Sequence, residues 1–133
     1  KAIRRQRQMC IRDRNKRRDR KTMTLDTIIE RFKKLNLPMA LNEFTITNRT
    51  PAPTLPYICY LIDETQRGPD QKNMIRDISA SFELYTDRKP DKAIESRIER
   101  EVLFDVEFRK NQVKIDSENM VQTSYDFDIT EKI

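Results

Sequence analysis

Leu25, Ile28, Ile29, Phe32 and Leu35 recur at helical spacing and predict an amphipathic helix over about Leu25–Asn36. Thr24 suits its N-cap, and Asp26 suits the positive end of the helix dipole. Lys33 and Lys34 suit the opposite end. Leu37-Pro38 stops the helix, because the residue before a proline is pushed out of the α region. Met39–Ile46 then reads as a first strand, followed by a proline-rich connector over residues 51–56. Tyr57–Ile62 is apolar at both alternating sets of positions, which predicts a central strand covered on both faces. Asp63–Asn73 is polar and holds the chain's single glycine, Gly68, beside Pro69, so a long hairpin loop is expected there.

Met74–Tyr85 alternates with a period of two. Ile78, Ala80, Phe82 and Leu84 share one face, and Ser79, Ser81 and Glu83 share the other. Pro90 and Asp91 open a second helix, whose narrow apolar seam is Ile94, Ile98 and Val102. Strand character returns at Val106–Phe108, at Val113–Ile115 and over Val121–Ile129. In the last of these, Val121, Thr123, Tyr125, Phe127 and Ile129 share one face. The order is helix, three strands, helix, two strands. Short links between successive strands favour an α+β fold: an antiparallel or mixed sheet of four to five strands, with two helices packed on one face.

Residues 1–22 change the electrostatic picture. Arg4 to Arg14, written back into codons, resemble a transposase adapter used in sequencing libraries. Lys16-Arg17-Arg18 resembles a purine-rich ribosome-binding site a few codons ahead of Met23. The expectation is a non-native translated leader, with one domain over 23–133. The leader carries eleven Lys/Arg and two Asp/Glu, out of 27 and 22 in the whole chain. Residues 23–133 therefore hold 16 basic and 20 acidic residues, and the net charge moves from +5 to −4. A mildly acidic domain is not drawn to nucleic acid by its overall field, so no specific nucleic-acid binding is expected. No apolar run approaches the roughly 18 residues of a membrane span. Cys59 is the one cysteine of 23–133, and lies between Ile58 and Tyr60 in an apolar run, so a buried thiol is expected.

The inventory for chemistry is narrow. Without histidine there is no Ser-His or Cys-His nucleophile pair and no His-containing zinc site. One glycine leaves no phosphate-cradling loop. Asp126 and Asp128 stand two apart on a strand and project from one face. They read as the solvated outer face of an edge strand rather than as metal ligands. Arg67 and Lys72 in the polar loop, with Arg76 at the following strand's start, read either as a docking arm or as an ordinary mobile hairpin. No catalytic residue, metal site or cofactor is expected. Arg67, Lys72, Arg76, Asp126 and Asp128 are the candidate contacts with other subunits or partners.

The chain also carries Leu35-Asn36-Leu37-Pro38 after the first helix, then Leu55-Pro56-Tyr57-Ile58-Cys59-Tyr60-Leu61. Further on come Phe82-Glu83-Leu84-Tyr85-Thr86-Asp87-Arg88-Lys89, a charged helix, and a closing strand with Tyr125-Asp126-Phe127-Asp128-Ile129. This order resembles the tail-completion or tail-terminator proteins of long-tailed phages of Gram-positive bacteria, over nearly all of 23–133. The resemblance implies a non-enzymatic virion subunit, assembled in the host cytoplasm. It implies a ring of identical copies, usually six, which stops the tail tube at its head-proximal end and meets the head-completion protein. The same resemblance implies the major tail tube protein as a partner and offers no catalytic residues. The polar 63–73 segment departs from the aromatic-containing hairpin of that family.

Overall fold

The structure is a computed structural model and describes residues 23–44, 53–70 and 72–133. The leader expected over 1–22, the end of the first expected strand and the start of the proline-rich connector lie outside the described residues.

The first helix, α1, is Leu25–Lys33. Thr24 caps it, its side-chain oxygen accepting from the Thr27 N–H at 3.3 Å. The chain leaves through Asn36 at φ 59°, a left-handed position that a short polar side chain tolerates. The Asn36 N–H donates to the Lys33 carbonyl at 3.1 Å, closing the last turn. Ile28, Phe32 and Leu35 are thereby turned to the core.

Five strands follow: β1 Met39–Leu41, β2 Tyr57–Arg67, β3 Ile75–Asp87, β4 Arg109–Ile115 and β5 Met120–Lys132. Their order across the sheet is β1-β2-β3-β5-β4. β1 runs parallel to β2 and every other pairing is antiparallel, so the sheet is mixed. Between β3 and β4 lies α2, Lys92–Arg97, which continues as a π-helical turn over Ile98–Val102. The Asp91 side chain caps α2, accepting from the Ala93 and Ile94 N–H groups at 3.1 and 3.2 Å. In the wide turn the Leu103 N–H donates to the Ile98 carbonyl at 2.9 Å, and Ile98, Val102 and Leu103 are all buried.

Both helices cover the same face of the sheet. Phe32 of α1 stacks on Phe82 of β3, with ring centroids 4.2 Å apart and planes 3° from parallel. Tyr60 and Phe127 stack against Phe82 from the two neighbouring strands at 4.9 and 5.6 Å. Tyr125 is fully buried nearby, beneath Phe108. The α+β architecture and the inward face of β3 and β5 follow the sequence pattern residue for residue.

Four expectations need correction. The long loop expected over Asp63–Asn73 begins later: its first five residues are strand, because β2 continues to Arg67, and β3 starts at Ile75. Polar residues extend the hairpin there because cross-strand ion pairs replace apolar burial. Gly68 sits at its tip, where a Cβ would lie 2.0 Å from the Lys72 carbonyl oxygen and 2.8 Å from the Met74 nitrogen. Secondly, β2 is not covered on both faces, because Leu61 is 44% exposed. Only its first residues are shielded on the outer side, where Phe44 packs edge-on against Tyr57 at 5.2 Å. Thirdly, β5 is not an edge: it lies between β3 and β4. The Val106–Phe108 segment precedes β4 rather than forming a strand.

Phe32→Ala should cost about 3–5 kcal/mol, the usual loss for removing a buried aromatic ring. Urea titration followed by circular dichroism checks this: the midpoint should fall with little change in slope. A loss below about 1 kcal/mol would show that α1 is not pinned through this stack.

Candidate interaction face

The face of the sheet away from the helices is open. Strand register arranges its side chains in rows. One row runs Leu61, Ser81, Asp126, Arg109 across β2, β3, β5 and β4. The next runs Asp63, Ser79, Asp128. Together with Glu107 these residues line a shallow groove of about 1000 Å³. Serines in the middle strand make its floor low, while carboxylates and one arginine rise on either side. The Ser79 hydroxyl donates to Asp128 Oδ1 at 2.7 Å, so Asp128 is held against the floor rather than free to swing. Among the described residues, no three Asp, Glu, Cys or His side chains are grouped to hold a metal ion.

The structure separates the five candidate contacts. Asp126 and Asp128 do share the outer face, as their spacing requires. Arg67 shares that face at the far end of the hairpin, where its guanidinium donates to Asp77 Oδ2 at 2.7 Å. This bond, helped by one from Thr130, holds the Asp77 carboxyl below its ordinary value. Arg76 points to the helix side. It lies 3.2 Å from Glu64 and 3.4 Å from Glu131, whose other oxygen accepts from the Leu25 N–H at 2.6 Å. Arg76 thus fastens the hairpin to the start of α1. Lys72 is exposed in the turn. A docking arm of three free cations is therefore not what the hairpin offers: two of the three are committed to intramolecular pairs.

The remaining outer face carries two exposed apolar side chains, Leu61 on β2 and Val113 on β4, at 44% and 48% exposure. Cys59 lies on this face beside Glu83 and is buried; desolvation first, then nearby Glu83, pushes its thiol upward. A raised thiol is a poor nucleophile, which fits the inert strand residue expected from its neighbours. Tyr85 and Tyr125 hold their phenolic protons well above the ordinary value of 10.0. Burial is the main cause, with carboxylates next to both: Tyr85 donates to Glu83 at 2.5 Å and Tyr125 to Glu99 at 3.3 Å.

A buried charge network underlies β4, and hydrophobic periodicity did not flag it. Glu95 of α2 is 1% exposed, on the same side as the expected Ile94-Ile98-Val102 seam. Lys110 of β4 reaches inward to place Nζ 2.6 Å from Glu95 Oε1 and 3.1 Å from Glu99 Oε2. The contact with Glu95 is a close ion pair, and Glu95 Oε2 meets no donor. Burial works against the Lys110 charge, but Glu95 and Glu99 outweigh it and hold the ammonium above the usual lysine value. The available signal was the pair Glu95 and Glu99, one helical turn apart, with Lys92 of the same helix spaced to reach only Glu95, at 3.9 Å.

Lys110→Ala strands a buried carboxylate and should cost on the order of 3 kcal/mol, whereas Lys110→Met with Glu95→Gln should recover much of it. Thermal unfolding of the single and double variants tests this; equal losses in both would remove the pairing from the account.

Stability should also fall as pH rises past about 10. There the unfolded chain releases protons that folded Tyr85, Tyr125 and Lys110 retain, so the folded state binds more protons and loses ground with rising pH. Urea midpoints between about pH 8 and 11 should decline, and Tyr85→Phe with Tyr125→Phe should flatten the decline.

A scan against protein-family models finds none that matches this chain, and a search of curated proteins finds no significant match.

Proposed function

We propose that this chain is a structural, non-enzymatic virion subunit that caps the head-proximal end of a phage tail tube and joins it to the head-completion protein. The observation that carries the reading is the one-sided sheet. Its helices cover one face, while the other face and β4 stay open. A subunit that must meet like copies at its flanks and a different protein at each end needs such separate open surfaces. The order of residues that resembles tail-terminator proteins supports the same reading, with copies of the chain, the major tail tube protein and the head-completion protein as partners.

Capping by shape requires no reacting group. The subunit presents one surface that the tube end accepts, and a second that does not accept a further tube ring. Among the described residues no helix is long and apolar enough to cross a membrane.

Negative-stain electron microscopy of the chain mixed with tubes of the cognate major tail protein tests the proposal. Density closing one tube end, with tubes of limited length, is the expected result. Tubes that stay open and lengthen freely would end the terminator reading, and binding to the head-completion protein alone would favour a head–tail adaptor.

A further inference from the structure

The two flanks of the sheet complement each other. On one flank, β1 covers β2 only through Tyr60, and Asn42 then turns away at φ 66°. Among the described residues, no strand pairs with the outer edge of β2 over Leu61–Arg67 or with that of β4 over Arg109–Ile115. Both free stretches are seven residues long.

The backbone directions match as well. The Ile58 N–H donates to Pro38 and the Tyr60 carbonyl accepts from Asn42, so even-numbered residues of β2 point their hydrogen-bonding groups at that edge. Along the free stretch these are Ile62, Glu64 and Gln66. On the other flank, the Ile133 N–H donates to Met74, so odd-numbered residues of β5 bond to β3 and even-numbered ones to β4. The odd residues of β4 answer them, which leaves Lys110, Gln112 and Lys114 pointing outward. β2 and β4 run in opposite directions, so β4 of one copy can extend the sheet of the next at β2 in antiparallel fashion. The outer face then remains continuous.

Side chains select the register. Placing Val113 opposite Leu61 covers the two apolar residues that each copy leaves exposed on this face. The same register sets Asn111 opposite Asp63 and brings Arg109 diagonally to Asp63. Neither Arg109 nor Asp63 has an ion pair among the described residues. Sliding β4 by two residues one way would set Arg109 against Arg67, and sliding it the other way would shorten the overlap. A symmetric β4–β4 contact would gather Arg109, Lys110 and Lys114 from both copies, which is repulsive. We propose that β4 of one copy adds to the free edge of β2 of the next, with Val113 opposite Leu61, making a head-to-tail contact between identical chains. A contact of this kind closes into a ring or continues as a filament. It supplies the subunit interface of the proposed function and relies on that reading only for ring closure.

Cysteine pairing tests it, in a Cys10→Ser, Cys59→Ala background checked for folding by circular dichroism. Within one chain Leu61 and Val113 lie three strand spacings apart, about 14 Å sideways, and are further offset along the strands, because Leu61 is in register with Arg109, so they are too far apart for a disulfide. Mixing Leu61→Cys with Val113→Cys under oxidation should give dimers containing one of each, at least tenfold above either variant alone. Combining both substitutions in one chain should give a ladder of linked chains. Arg109→Asp should cut the mixed dimer several-fold, and Asp63→Arg in the Leu61→Cys partner should restore it. Homodimers of Val113→Cys matching the mixed yield, equal pairing of Leu61→Cys with Ile115→Cys, or no disulfide in any mixture would each overturn the contact. Cross-linking without capped tubes would leave the contact standing and remove the tail reading. Capped tubes without cross-linking would do the reverse.

Discussion

Phe82 is the residue on which the rest of the structure depends. It stands in the middle strand of the sheet, with Phe32 stacked on it and Tyr60 and Phe127 beside it. A strand has a period of two, so turning Phe82 inward turns Ser81 and Glu83 outward. Register carries that choice into the neighbouring strands, turning Asp63, Asp126 and Asp128 outward too. A one-residue slip would expose the aromatic stack and bury carboxylates, so the acidic outer groove and the apolar core are two consequences of one placement.

Away from this stack, charge takes over the role of apolar contact. The far half of the hairpin carries few buried residues and is held by Arg67 to Asp77 and by Arg76 to Glu64 and Glu131. Ion pairs this exposed contribute little stability individually. Their effect is geometric: they keep a polar ribbon in register and tie it to α1. β4 is held differently, because nearly all of it is exposed. Lys110 anchors it from beneath through Glu95 and Glu99, and among the described residues its outward edge is unpaired. A strand so anchored is available to a neighbour without being loose, which suits the assembly role proposed for this chain. Its lysines and arginine also discourage pairing with a like edge.

The amino-acid pattern by itself determined the cap at Thr24, a second helix opening near Pro90-Asp91, the inward faces of β3 and β5, and the α+β class; the structure puts Pro90 before that helix and makes Asp91 its cap. These are local properties: caps and alternation act within a few residues along the chain. Alternation reports which face a residue joins but not which strand lies beside it. The sequence therefore allowed β5 to be read as an edge, and only the folded sheet placed it between β3 and β4. The apolar run at Tyr57–Ile62 likewise shows no difference between a covered strand and one whose Leu61 is left open. Arg67 and Arg76 read as candidate outward contacts because their partners Asp77, Glu64 and Glu131 become neighbours only through strand pairing. Periodicity gave Glu95 no role, because its counterion, Lys110, arrives from another element. Local preference set the elements and their faces; strand order, edges and charge partners depend on contacts between distant residues, which only the tertiary structure decides.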